Sequence, residues 1–257
     1  MWLLDLGNTR LKLARAAPDG IGEVIALAHG DEDFVARLGA ALGASDGAGA
    51  GEAWLASVAS DDARRAVERA LERAGLGVHR ARTVAEAAGV RIAYPDPGRF
   101  GVDRFLALLA ARGRGGDQLV VSFGSAITVD LLDARGRHHG GLIGIAQAHA
   151  QRALGERFPA LDRGPGDAGL AFGADTPDAV AAGAHRQALG LVLAAWDDAC
   201  ALLGRPPALL LGGGDAPAYA DTLARRLRAE VTVSGTLVLE GLRRYADAMR
   251  GSDARPE

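Results

Sequence analysis

The sequence predicts an α/β protein made of two related halves, and three observations carry that reading. Short apolar runs alternate with helical stretches along most of the chain, the pattern of sheets covered by helices. The opening Leu3-Leu4-Asp5-Leu6-Gly7-Asn8-Thr9 overlies Val120-Val121-Ser122-Phe123-Gly124-Ser125-Ala126 at an offset of 117 residues, with Asp5 falling on Ser122. Each copy continues into an alternating strand, Arg10 to Arg15 and Ile127 to Leu132, and each has room for a third strand after that. Two strand–turn–strand units about half a chain apart predict a duplicated domain, residues 1–115 and 116–257, with a cleft between the halves.

The elements follow in order. Met1 to Gly7 reads as a buried strand stopped by glycine, and Arg10 to Arg15 alternates polar and apolar as a half-buried strand does. Together they predict a hairpin turning at Gly7-Asn8-Thr9. Gly22 to Ala28 supplies a third strand, and Phe34, Leu38, Ala41 and Leu42 mark a helix over 31–42. Gly43 to Gly51, rich in Gly, Ala and Ser, reads as a surface loop. A strand at Trp54 to Val58 precedes a helix from Asp61 to Ala74, acidic in its first turn and closed by Gly75. After a short strand near Val78, two prolines and a glycine keep Tyr94 to Phe100 irregular. A helix follows from Val102 to Arg112 and opens the way to the second hairpin. Beyond that hairpin and its third strand (Gly140 to Ile145) lies a long helix, Pro177 to Leu203, whose Leu189, Val192, Leu193, Trp196, Cys200 and Leu203 form one apolar face. A strand at Ala208 to Leu211, a turn at Gly212-Gly213-Gly214, a helix from Ala216 to Arg228, a strand at Val231 to Val233 and a helix from Leu237 to Met249 complete the fold. Ser252 to Glu257 is a polar tail.

Composition narrows the function. Hydrophobic residues are 49% of the 257, aromatics only 5%, so the core is Leu, Val, Ile and close-packed Ala. A net charge of −3 gives the whole molecule no attraction to nucleic acid or an acidic membrane. No apolar run reaches the length of a bilayer span, and Asp5 and Arg10 come too early for a signal peptide. The single cysteine, Cys200, has no partner for an internal disulfide, as suits a reducing cytoplasm. The six histidines show no metal-ligand spacing; His138 and His139 are merely adjacent. Neither a Walker A sequence nor a Gly-x-Ser-x-Gly elbow is present.

Three stretches have the residue types of a reaction site. In Asp5-Leu6-Gly7-Asn8-Thr9 a glycine turn lets backbone N–H groups approach phosphate oxygens, and a strand-end carboxylate can hold Mg²⁺. Lys12 brings charge to the same place; an ordinary hairpin turn welcomes the same residues. Gly101-Val102-Asp103-Arg104 opens a helix beside the irregular loop carrying Tyr94. Asp in a first turn commonly serves the helix dipole, but a carboxylate beside a guanidinium also suits a general base next to an anion-binding group. Gly212-Gly213-Gly214-Asp215-Ala216 fits a flat ring or a phosphate, and equally a tight turn with Asp215 as N-cap.

Four blocks of the chain, in order, resemble the type III pantothenate kinases, members of the superfamily of acetate and sugar kinases, heat-shock chaperone ATPases and actin. The resemblance rests on Asp5 to Thr9; on Tyr94-Pro95 with Gly101 to Arg104; on Gly124 to Asp130 with Gly140-Gly141; and on Gly173 to Thr176 with Gly183. It implies duplicated actin-like ATPase (ribonuclease H-like) domains and phosphorylation of pantothenate by ATP with Mg²⁺, the first step of coenzyme A synthesis. Asp5, Leu6, Gly7, Asn8, Thr9, Arg10, Leu11 and Lys12 match the family's ATP phosphate loop, with Asp5 the metal ligand, and Ser125 stands at an ATP-contacting position. Tyr94, Gly101, Val102, Asp103, Arg104 and Thr176 match pantothenate contacts, with Asp103 the proton acceptor. A cytoplasmic homodimer is implied as well. Two departures matter. Ser122 replaces the aspartate that usually ligates a monovalent cation, which argues against dependence on K⁺ or NH₄⁺. Ile145-Ala146 replaces the usual Pro-Gly. The competing expectations are another small-molecule kinase of the superfamily, or a non-catalytic homologue that binds nucleotide or a protein partner.

Overall fold

The structure, a computed structural model, describes residues 1–18, 20–43 and 51–253. Most of the expected loop after Gly43 and the last four residues of the tail therefore lie outside the described residues. The chain forms two compact units, one of residues 1–115, 134–138 and 236–257, the other of residues 116–133 and 139–235.

The first unit begins with β1 (Trp2–Leu6) and β2 (Arg10–Ala17), an antiparallel pair whose register sets Asp5 opposite Lys12. The Gly7 N–H donates to the Arg10 carbonyl at 3.0 Å and closes the turn. The expected third strand (Gly22 to Ala28) is shortened to β4 (Ile25–Ala28) and preceded by a separate β3 (Gly20–Ile21), both antiparallel to β2. Helix α1 (Phe34–Gly43), strand β5 (Gly51–Ser57), helix α2 (Asp61–Arg73) and strand β6 (Leu76–Arg80) follow, with β5 parallel to both β1 and β6. The Ser60 hydroxyl caps α2 by accepting the Ala63 N–H. A small ribbon, β7 (Glu86–Ala87) and β8 (Val90–Arg91), leads to the irregular loop, and α3 (Val102–Arg112) starts where the sequence predicts.

The two-residue period of a strand divides this sheet into faces. Leu4, Leu6, Leu11, Leu13, Ala53 and Leu55 share a core with Phe34, Leu38, Val67 and Leu71 of α1 and α2. Leu3, Asp5, Lys12 and Trp54 therefore belong to the opposite face, the one covered by α3 and by the final helix.

The second unit repeats this arrangement. Strands β9 (Gln118–Phe123) and β10 (Ala126–Leu132) are antiparallel, with Ser122 opposite Thr128, and β11 (His138–Ile145) lies beyond β10. Its turn is one residue shorter than the first: the Gly124 N–H donates to the Ala126 carbonyl at 3.1 Å. Helix α4 (Gln147–Arg157), which the sequence reading missed, precedes α5 (Thr176–Leu203), β12 (Ala208–Gly212), α6 (Ala216–Leu227) and β13 (Val231–Val233). Strand β12 is parallel to β9 and β13. The sheet orders, β3-β2-β1-β5-β6 and β11-β10-β9-β12-β13, match position for position. Val121, Phe123, Val129 and Leu211 pack against Val192, Trp196, Tyr219 and Leu223 in the second core.

The last helix, α7 (Leu237–Asp253), departs from a division at 115/116, because it belongs to the first unit. It packs along α3 so closely that a Cβ at Gly241 would overlap the Leu106 carbonyl. Tyr245 adds edge-on contacts to Trp54 and Phe105. Among the described residues no helix is long and apolar enough to cross a membrane.

Candidate active site

The sheet face that α3 covers brings two carboxylates together. Asp5 is the penultimate residue of β1, half-buried, with Lys12 directly across the hairpin. Asp103 lies in the first turn of α3, over the same face. Desolvation, and then the negative charge of Asp103, push the Asp5 carboxyl up to about 7, while Lys12 pulls the other way. Two acids separated by 98 positions thus sense one another, which neither motif alone discloses. Asp103 folds back over the helix start, where its Oδ1 accepts the Arg104 backbone N–H at 2.9 Å. Gly101 makes room for this: a Cβ there would stand 2.7 Å from that oxygen.

The stretch before α3 forms a small aromatic chamber around Arg104. The guanidinium is buried, its Cζ 4.7 Å from the Phe100 ring centre and 5.9 Å from that of Tyr94. One of its nitrogens donates to the Tyr94 hydroxyl at 3.4 Å. The loop itself is pinned at both ends. The Thr83 hydroxyl donates to the Phe100 carbonyl at 2.7 Å, and the Asp96 carboxylate accepts the Gly98 N–H at 2.9 Å. Tyr94, Phe100 and Arg104 therefore form one cluster at the start of α3, and Asp103, next to Arg104 in the chain, is the residue there whose charge reaches Asp5. Phe100, Thr83 and His138, which also contribute, were missed in the sequence. A buried aromatic or histidine outside any periodic pattern gives no signal there.

The second unit holds the remaining predicted residues. Ser125 is exposed at the tip of the β9–β10 turn. Ser122, half-buried, faces Thr128 on one side and Gly212 on the other. Asp130, 3% exposed, lies opposite Val120, one pleat along the same face from Ser122. Thr176 opens α5 and lines a cavity of about 650 Å³ with Gly173, Asp175, Val180, Gly183 and Gln187. At the glycine turn, Gly213 has φ +90°, and a Cβ there would overlap the Phe123 carbonyl, so glycine is needed for close packing. Asp215 occupies the N-cap position of α6 without making a side-chain cap. Ala146, at φ −69° and ψ 151°, has a backbone open to any residue, so loss of the family's glycine strains nothing there.

Two sheets of the same strand order, each a hairpin extended by parallel strands and covered by helices, make the duplicated actin-like α/β fold. Solved structures share that fold. A Campylobacter jejuni protein described as a conserved Baf family transcriptional activator matches with TM-score 0.63 at 17% identity, over 98% of this chain and 100% of its own. The activator of 2-hydroxyisocaproyl-CoA dehydratase from Clostridium difficile, solved with ADPNP, matches with TM-score 0.52 at 10% identity, over 100% and 98%. At such identities the likeness is one of fold. Sequence narrows it further. A family model described as type III pantothenate kinase matches residues 1–198. A type III pantothenate kinase of Stenotrophomonas maltophilia strain R551-3 is 43% identical over 95% of this chain and 96% of its own. One of Xanthomonas axonopodis pv. citri strain 306 is 40% identical over 96% and 97%. The chain belongs to the type III pantothenate kinase family.

Proposed function

We propose that this protein transfers the γ-phosphoryl group of ATP to the primary hydroxyl of pantothenate, giving 4′-phosphopantothenate and ADP in a cytoplasmic step toward coenzyme A. The observation that supports the residue-level reading is the coupling of Asp5 to Asp103. The phosphate-loop acid and the acceptor-site acid share one face of one sheet, within range of each other's charge.

Each residue then has a task. Asp103 accepts the hydroxyl proton as that oxygen bonds to the γ-phosphorus and the bond to the β,γ-bridging oxygen breaks. Arg104, held on its aromatic walls, offers a fixed cation to an anionic group of the acceptor. The segment Gly7 to Thr9 presents backbone N–H groups to the phosphates, and Lys12 adds charge. Ser125 is read as a further ATP contact and Thr176 as a further acceptor contact, from their positions in the family pattern. A divalent cation fits this acid pair. The carboxyl of Asp5 is held in an unfavourable field that a dication would relieve, and Mg²⁺ commonly takes one or two carboxylates plus substrate phosphates. Mg²⁺ held at Asp5 would supply neutralisation of phosphate charge.

The direct test is to incubate purified protein with Mg²⁺, ATP and pantothenate and identify the product by mass and by phosphorus NMR. A monophosphate ester on the primary hydroxyl, formed with equimolar ADP, supports the reading. ATP hydrolysis without ester, or esterification of sugars and not pantothenate, would refute it.

Two further expectations attach here. Ser122 does not fit a monovalent cation, since a neutral hydroxyl compensates poorly for the water the ion sheds. Activity is therefore expected to change little when K⁺ replaces a large inert cation at constant ionic strength, and Ser122→Asp is expected to introduce a dependence. Steep activation of the unmodified protein by K⁺ would show that Asp130 or another group supplies the missing charge. The protein is also expected to be a dimer. Leu142, Ile143, Ile145, Phe158 and Phe172 of the second unit are all exposed, Phe172 by 92%, and a partner subunit would cover apolar side chains of this kind. Sedimentation of a monomer-mass species at micromolar concentration would contradict that.

A further inference from the structure

Residues 134–138 sit within the first unit, against the segment that leads into Tyr94. They meet β8 (Val90–Arg91) through a parallel bridge. Arg91 bridges to Arg137, and the Arg91 N–H donates to the Gly136 carbonyl at 2.9 Å. Gly136, at φ +85°, approaches Gly89 so closely that a Cβ would overlap the Gly89 carbonyl. In a parallel ladder the next donor, the Ala93 N–H, would meet the backbone carbonyl of residue 138. Here the side chain takes it: His138 Nδ1 lies 3.3 Å from the Ala93 nitrogen. A backbone N–H only donates, so Nδ1 is the unprotonated nitrogen of that ring.

The ring that accepts this bond is 1% exposed and fills the back of the Arg104 chamber. It lies 5.0 Å from the Phe100 ring and is parallel to Tyr94 within 5°, with ring centres 6.2 Å apart. Tyr94 and Phe100 in turn touch at 4.7 Å, and both face the Arg104 guanidinium. One side chain thus fixes the backbone immediately before Tyr94 and the rings on which the guanidinium rests.

We infer that His138 is a positioning residue for the acceptor: through the Ala93 hydrogen bond and its ring contacts it sets the Tyr94–Arg104 pair that receives pantothenate. The inference rests on the reading that Tyr94 and Arg104 hold the acceptor. It predicts a selective effect, because Ala93, Tyr94 and Phe100, which His138 bonds or stacks against, all lie in the acceptor segment.

Three variants separate the bond from the bulk. His138→Asn keeps an oxygen near the place of Nδ1. His138→Gln is polar but puts its oxygen near the place of Nε2. His138→Phe keeps a ring and has no acceptor. Losing the partner of a buried N–H is expected to raise the pantothenate KM about tenfold in the Phe and Gln variants, with the ATP KM within about twofold of the unmodified protein. The Asn variant is expected to recover most of that loss, even where thermal melting shows all three to be less stable. The inference is overturned if Asn is no better than Gln, if both KM values rise together, or if neither moves. Tyr94→Phe and Arg104→Lys are measured alongside. If these leave the pantothenate KM unchanged, the acceptor-segment reading itself fails and the inference with it. If they raise it while His138→Gln does not, the failure belongs to His138 alone.

Discussion

Replacing Asp103 by Asn is expected to lower kcat by about 10²–10⁴ while leaving the KM for ATP little changed. General-base assistance contributes on that scale, and an amide cannot accept the hydroxyl proton. The fold is expected to survive. Asn fills the same volume, and its oxygen can keep the Arg104 N–H that Asp103 now accepts at 2.9 Å. Steady-state kinetics with both substrates varied would check this. Turnover near that of the unmodified protein would reduce Asp103 to a residue that merely favours the helix dipole.

Asp5→Asn is expected to act in opposite directions on activity and stability. Catalytic efficiency toward Mg·ATP should fall by about 10²–10³, the scale for removing one preorganised electrostatic contact to a transferring group. Stability should rise, and the sign follows from linkage. The folded-state carboxyl is raised from 3.8 to about 7, so between those values the folded chain binds more protons than the unfolded one. The favourable contribution of the protonated acid is present in full below about pH 4 and is lost as pH rises through 7. In metal-free buffer the Asn variant should therefore melt higher than the unmodified protein above pH 7. The gap should shrink toward pH 4, at about 2–4 °C per kcal/mol of relief in a chain of this size. A variant that melts lower at pH 8, or equally at all pH values, would contradict the electrostatic account.

Much of this was legible in the sequence because strand and helix periods report which residues share a face. The hairpin at Gly7, the start of α3 at Val102 and the second hairpin at Gly124 all followed from such local patterns. The repeat at 117 residues anticipated the matching sheet orders. What the patterns do not encode is which faces meet. Helix α7 shows an apolar stripe, but nothing in the stripe says that it returns to cover Leu3 and Trp54. Helix α4 escaped notice because only Ala150 on it is buried, so it has no apolar period to read. His138 looked like half of a histidine pair without metal-ligand spacing; its work depends on Ala93 and Phe100, 45 and 38 positions away. The sequence offered the candidate site residues one by one, and gave no sign that Asp5 and Asp103 lie within reach of each other's charge.

That convergence is what a carbon-13 NMR titration of the Asp5 carboxyl in the metal-free protein measures most directly. With Asp103 in place, Asp5 is expected to titrate near pH 7; with Asp103→Asn, its midpoint should fall, since one of the two causes that raise it is gone. An Asp5 that titrates in the ordinary carboxylate range, or whose midpoint is the same in both proteins, would show that the two acids do not share a site.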